Sequence, residues 1–241
     1  MNRKRHFILA GILIAIFGIA TLSEAQTMKN QGLNAKQEKI VVIAAFTASG
    51  DLTKLKTALG EGLDAGLTVN DIKEMLVQLY AYAGFPRSLN AIGAFMGVLD
   101  ERGKKGIRDE IGKEASPLPA GKSSIELGTE IQTRLAGKPV TGEIYTFAPA
   151  IDQFLKGHLF GDIFGRDVLD FQTREITTIS ALANMKGVNP QLQAHFNIGL
   201  NVGLSEGQMR SLIAVLKAKV GKTEADNAQD VLSKVLGRGD K

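Results

Sequence analysis

Apolar side chains recur along this chain at helical spacing. Ile72, Met75, Leu76 and Leu79 share one stripe, and Met209, Leu212, Ile213 and Leu216 share another 137 residues later. Each stripe needs a partner surface to bury it. The punctuation is that of helix–turn–helix joints: Gly66-Leu67-Thr68 and Gly203-Leu204-Ser205 place a helix-ending glycine, a hydrophobic residue and an N-cap hydroxyl between two helices. Thr68 with Asp71 and Ser205 with Gln208 have capping-box spacing; only Gln208 is a standard partner, so the second cap is expected to be the better formed. Pro86 sits where a proline is tolerated at the start of a helix, and Thr223 with Asp226 is predicted to cap the equivalent helix later in the chain. The run Ser116-Pro-Leu-Pro-Ala-Gly-Lys-Ser reads as a linker, followed by predicted helices over about 124–136 and, led by Pro149, about 149–160.

The similarity of the two stripes extends well beyond them. At a shift of 136, Leu33, Ile40, Ile43 and Ala45 fall on Leu169, Ile176, Ile179 and Ala181. One inserted residue makes the shift 137, and Leu55, Leu63, Gly66 and Leu67 then fall on Leu192, Leu200, Gly203 and Leu204. The register continues through Ala81, Gly84, Asn90, Ala91, Val98 and Leu99, onto Ala218, Gly221, Asn227, Ala228, Val235 and Leu236. This self-match predicts two copies of one helical unit, residues 26–116 and 147–241, joined by a linker over 117–146 that carries one helix.

Composition agrees with an all-α fold. In 241 residues, 44% are hydrophobic and only 6% aromatic, with no tryptophan, a balance that suits packed helices better than a sheet sandwich. Cysteine is absent, which excludes disulfides, zinc-thiolate sites, iron–sulfur clusters and cysteine nucleophiles. The start of the chain changes the charge picture. Asn-Arg-Lys-Arg-His precedes an apolar run from Phe7 to Leu22, and Ser23-Glu24-Ala25 offers small residues at a cleavage site. The run is shorter than the roughly 20 residues of a membrane-spanning helix. A signal peptide over 1–25 and a periplasmic or secreted location are therefore expected, with a membrane anchor as the alternative if the segment stays attached. Without Arg3, Lys4, Arg5 and Glu24, the 29 basic and 25 acidic residues become 26 and 24. That near-neutral balance, with no basic block interleaved with aromatics, gives nucleic-acid binding no electrostatic footprint.

Three stretches carry a resemblance. Tyr80-Ala-Tyr-Ala-Gly-Phe-Pro-Arg-Ser-Leu-Asn90-Ala, the helix start Arg174-Glu175, and Gln191-Leu-Gln-Ala-His195-Phe-Asn-Ile-Gly-Leu-Asn-Val-Gly-Leu204 resemble the carboxymuconolactone decarboxylase family, which also includes the alkylhydroperoxidase D-like proteins. The resemblance covers most of 33–100 and 147–236. It implies an all-helical alkylhydroperoxidase D-like fold whose two-helix hairpins assemble in rings; for a doubled chain, that means a homotrimer with pseudo-sixfold character. The peroxidase branch relies on a Cys-x-x-Cys pair between the glutamate and the histidine, and here that interval, Ile176 to Ala194, contains no sulfur nucleophile. The decarboxylase branch works on a carboxylated muconolactone without metal or organic cofactor, and neither is expected here.

The candidate residues follow from this. Glu175 and His195 lie on consecutive predicted helices, so a partly buried hydrogen-bonded pair is possible, and an imidazole beside a carboxylate can hold and return a proton. Glu175 aligns with Lys39 and His195 with Ala58, so the first copy lacks both groups, whereas Tyr82 and Phe85-Pro86 align with Lys219 and Lys222-Thr223. A composite site is expected, with the acid–base pair from the second copy and the aromatic wall of Tyr82 and Phe85 from the first. His158 is a candidate second proton-transfer group; with His195 and Glu175 it forms only weak evidence for a metal, since no i, i+4 ligand spacing links them. Arg174 and Arg166 could hold a substrate carboxylate as a bidentate fork, or pair with Asp170, Asp167 or Asp162 in a structural network. The resulting expectation is a cofactor-independent lyase or isomerase acting on a small carboxylated or lactone-like molecule by His/Glu proton transfer. Its alternative is a non-catalytic exported helical oligomer that binds a small ligand or a partner protein.

Overall fold

The computed structural model describes residues 32–237; the predicted signal peptide lies outside these residues. Among them there is no strand. The first four long helices are α1 (Ala35–Ser49), α2 (Leu52–Asp64), α3 (Val69–Ala83) and α4 (Phe85–Lys104). A middle section holds α5 (Ser124–Ala136), the short α6 (Glu143–Phe147) and α7 (Pro149–Gln153), and a π-helix, Phe154–Ile163. Four more helices follow: α8 (Phe171–Ala183), α9 (Asn189–Asn201), α10 (Glu206–Lys219) and α11 (Lys222–Val235).

Local chemistry fixes most of the boundaries. Asn34 with Gln37 and Ser123 with Glu126 form reciprocal capping boxes at α1 and α5. Thr68 with Asp71 does the same at α3, as fully as Ser205 with Gln208 at α10, so the expected inferiority of the Asp71 box does not appear. Aspartate is short, yet Thr68 N reaches its Oδ2 at 2.9 Å. The two turns that precede α3 and α10 are built alike. Gly66 (φ +89°) and Gly203 (φ +95°) take the left-handed conformation, and the next residues, Leu67 and Leu204, donate back to Gly62 and Gly199 at 3.0 and 2.9 Å. The capping role expected of Thr223 is not found: α11 starts two residues earlier than that cap would place it, its N-cap is Gly221, and Asp226 is engaged by Lys222 instead.

One large core joins both ends of the chain. Ile43, Leu55, Leu59, Ile72, Met75 and Leu76 from the first four helices share it with Ile176, Leu192, Phe196, Leu212, Leu216 and Leu232 from the last four. Each such side chain removed from water contributes about 1.5–3 kcal/mol. Within this core α1 packs most extensively on α8, and α3 also rests on α8. A smaller core of Leu135, Phe160, Ile163 and Phe164 lies where α5 meets the π-helix.

The single α-helix expected over 149–160 is replaced by α7 and the ten-residue π-helix, in which Phe164 N donates five residues back to Leu159 O at 2.9 Å. Its glycines explain the contact with α5: a Cβ on Gly161 would run into the Ser124 carbonyl, and one on Gly128 of α5 would run into the Lys156 carbonyl. The 107–123 linker runs over the start of α3, where Glu110 O and Ile111 O accept from Val69 N and Asn70 N, each at 2.9 Å. Asp167 then ties down Ser116 and Lys113.

Candidate active site

Helix α3 presents Glu74, Gln78 and Tyr82 at i, i+4 and i+8, a polar stripe on one face. That stripe faces α8, whose residues from 174 to 182 are all buried. Gln78 is sealed and fully engaged: its Nε2 donates to Arg174 O and Thr178 Oγ1, both at 2.9 Å, and its Oε1 accepts from Arg174 Nη1 at 2.8 Å. Glu74 accepts Arg174 Nη2 at 2.9 Å and, through both carboxylate oxygens, Arg166 Nε at 2.9 and 3.0 Å.

The expected contact between Glu175 and His195 is present. His195 Nδ1 and Glu175 Oε2 are 2.7 Å apart; the Glu175 side chain is fully buried and that of His195 is 10% exposed. A carboxylate at Nδ1 favours the tautomer with the proton there and leaves Nε2 for chemistry. Tyr82 joins them from the other half of the chain, its ring edge-on to the imidazole at 5.4 Å between centroids. The Tyr82 hydroxyl is enclosed and has no hydrogen-bond partner, and the same is true of Glu175 Oε1 and Arg174 Nε. Burial pushes the Tyr82 phenol far above its ordinary range, and the nearby Glu175 charge pushes in the same direction.

The other candidates are placed differently. Arg174 is fully buried, both its Nη atoms are used within the protein, and its guanidinium lies 5.4 Å over the Phe164 ring. Burial lowers its pKa, against the opposing pull of the Glu74 hydrogen bond. It is therefore a strut between α3 and α8, without a free fork to offer a substrate. Arg166 is 41% exposed, and apart from its Nε contact its guanidinium has no hydrogen-bond partner among the described residues. None of the three aspartates considered from the sequence pairs with either arginine. Asp170 caps α8 through Thr173 N at 2.7 Å, Asp167 holds the linker, and Asp162 accepts Ser124 Oγ at 2.6 Å. The signal for Glu74 was nonetheless in the sequence: a carboxylate and an amide four residues apart within an apolar helix.

His158 does not join His195. Its Nδ1 lies 2.9 Å from Asp162 Oδ2, both side chains are close to half exposed, and its ring leans on Tyr80 at 5.5 Å. Burial works against ionisation of Asp162, but hydrogen bonds from Ser124 and His158 outweigh it and hold the carboxyl below its usual range. Phe85 likewise stacks on Tyr80, at 4.3 Å, and is 61% exposed, so the expected wall of Tyr82 with Phe85 is split. The reason is helical geometry: Tyr80 and Tyr82 are two residues apart on α3, which rotates them by roughly 200°. Tyr82 turns to α8 and α9, while Tyr80 turns to the π-helix.

Among the described residues no group of three or more His, Cys, Asp or Glu side chains could hold a metal ion, and no helix is long and apolar enough to cross a membrane. A search of curated proteins found none that matches. A family model does match, over residues 19–96, and its description is the carboxymuconolactone decarboxylase family. The matched segment contains Tyr82, whose ring meets His195 from the other half of the chain.

Proposed function

We propose that the protein is a cofactor-independent lyase or isomerase of the carboxymuconolactone decarboxylase type, acting on a small carboxylated or lactone-like molecule. The observation that carries this is the buried 2.7 Å contact between Glu175 and His195, with the imidazole's second nitrogen uncommitted. Decarboxylation consumes one proton at carbon, and an imidazole held by a carboxylate is suited to deliver it. In this reading His195 is the proton donor and acceptor, and Glu175 orients it and stabilises its charged form. Arg166, half exposed with donors to spare, takes over the role of carboxylate anchor from Arg174. His158, on the opposite face of α3, has no part in the step.

The two halves are proposed to be copies of one unit. Four helix starts support this: Ala35 and Phe171 are 136 residues apart, while Leu52 and Asn189, Val69 and Glu206, and Phe85 and Lys222 are each 137 apart. A ring of three chains is also proposed. Phe85, Leu89 and Met96 on α4 and Ile144, Phe147, Ile151 and Phe154 in the middle section are exposed large apolar side chains, of the kind that subunit contacts bury. Light scattering of the mature chain should give the trimer mass, and intact mass should show cleavage near Ala25.

The test of the chemistry is release of CO₂ from a panel of carboxylated butenolides by the unaltered protein and by His195→Gln, with melting measured on both. The expected result is turnover of at least one panel member by the unaltered protein, lost by a factor of about 10² or more in the variant, which melts nearly as before. A panel without any turnover, or a variant that mainly unfolds, would make the pair structural.

A further inference from the structure

Tyr82 is the residue of the site whose chemistry the proton-transfer reading leaves unused. Its ring already makes the edge-on contact with His195, and a phenylalanine would make the same contact. The hydroxyl adds nothing to the free protein: it is enclosed and unpartnered, which is unfavourable for a polar group. Glu175 Oε1, the carboxylate oxygen not used by His195, is enclosed and unpartnered as well. Thr178 on α8 lies close enough to act on the phenol, opposing the effect of burial, but it makes no hydrogen bond of acceptable geometry to the Tyr82 hydroxyl, and its oxygen accepts from Gln78. An O–H donor held without an acceptor, beside a proton carrier, is a place prepared for an oxygen that arrives with the ligand.

We propose that Tyr82 is a catalytic hydrogen-bond donor, its Oη serving the carbonyl oxygen of a substrate whose carboxylate is borne on the saturated carbon next to that carbonyl, or on the saturated carbon reached from it through one C=C bond. This rests on the proton-transfer reading and narrows its substrate class. The bond from carbon to the carboxylate breaks and CO₂ leaves. The electron pair moves through the chain of conjugation onto the carbonyl oxygen, which becomes an oxyanion and accepts a hydrogen bond from the Tyr82 phenol. When the pair returns to carbon, His195 Nε2 supplies the proton, and a proton from solvent restores the imidazolium. Tyr82 gives up no proton at any step. Enclosure, which keeps the phenol protonated well beyond the usual tyrosine range, suits it to that part.

The test uses the full chain and 4-nitrophenolate, a stable oxyanion, as the probe, with Tyr82→Phe and His195→Gln beside the unaltered protein. Binding is read from the shift of the nitrophenolate absorption and stability from melting. Tyr82→Phe should weaken binding about tenfold and melt at the same or a higher temperature, because the hydroxyl it lacks had no partner. On any carboxylated butenolide the unaltered protein turns over, Tyr82→Phe should lower kcat about a hundredfold with KM little changed. Equal nitrophenolate affinity in Tyr82→Phe, no binding by the unaltered protein, or a lowered melting temperature overturns the proposal. The proton-transfer reading fails separately, by an absence of CO₂ release or by turnover that survives in His195→Gln, while the nitrophenolate comparison still reports on Tyr82.

Discussion

Arg174 and Glu74, one hundred residues apart in the chain, meet at 2.9 Å with both side chains almost completely shielded from water. The pair ties α3 to α8, the two helices that bring Tyr82 up to Glu175 and His195. Glu74 is also the only carboxylate hydrogen-bonded to Arg174 among the described residues.

Glu74→Gln keeps an oxygen acceptor and removes the charge, leaving a buried guanidinium uncompensated. Breaking a buried pair in this way costs about 3–5 kcal/mol. Urea unfolding should show the unfolding free energy falling by that amount, through a lower midpoint at an unchanged slope. A loss under about 1 kcal/mol would mean that water or Gln78 already carries the Arg174 charge.

Gly128→Ala should separate α5 from the π-helix. The added methyl would meet the Lys156 carbonyl, a backbone atom that cannot swing away. Overpacking of this kind costs about 1–3 kcal/mol. Hydrogen exchange should report the loss as faster exchange in 124–163, with α1 and α8 protected as before. Gly93→Ala on α4, where an added methyl meets nothing, is the control and should be neutral or slightly stabilising.

The buried phenol gives a pH dependence of defined sign. In the unfolded chain a tyrosine ionises near its ordinary value of about 10, whereas in the fold Tyr82 is held above that value by burial and by Glu175. Below pH 10 both states keep the proton and the group contributes no pH dependence. Above it the unfolded state alone loses the proton, so stability falls as pH rises, by up to about 1.4 kcal/mol per pH unit. Tyr82→Phe lacks this loss and should gain on the unaltered protein between about pH 9.5 and 11. Parallel stability profiles through that range would place the Tyr82 hydroxyl in contact with solvent.

The parts of this architecture that depend on neighbours in sequence were legible in advance. The helix over 124–136, the glycine turns at Gly66 and Gly203 and the caps at Thr68 and Ser205 are local, and one pattern of capping residues determines each. Glu175 and His195 were also within reach, because two residues on consecutive helices of a hairpin need only short-range geometry to meet. The partners of Arg174 and Arg166 were not, since proximity in the chain favoured Asp162, Asp167 and Asp170, and the three-dimensional packing of α3 on α8 supplied Glu74. Tyr82 and Phe85 looked like one wall because they are close in sequence, yet helical rotation sends Tyr80 and Tyr82 to different faces. The π-helix was hidden for a different reason: its irregular hydrogen bonding is set by the close approach of α5 past Gly157 and Gly161, a tertiary contact. Phe85 and His158, assigned to the site from the sequence, gather around Tyr80 instead.

What most needs testing is the state of one proton. In a long-range ¹H–¹⁵N correlation spectrum of histidine-labelled protein, assigned with His195→Gln, neutral His195 should carry its proton on Nδ1, toward Glu175, and show a bare Nε2. The opposite tautomer, with the proton on Nε2 and none shared with Glu175, would contradict the account, because the nitrogen meant for the substrate would then be pointed the wrong way for the carboxylate to govern it.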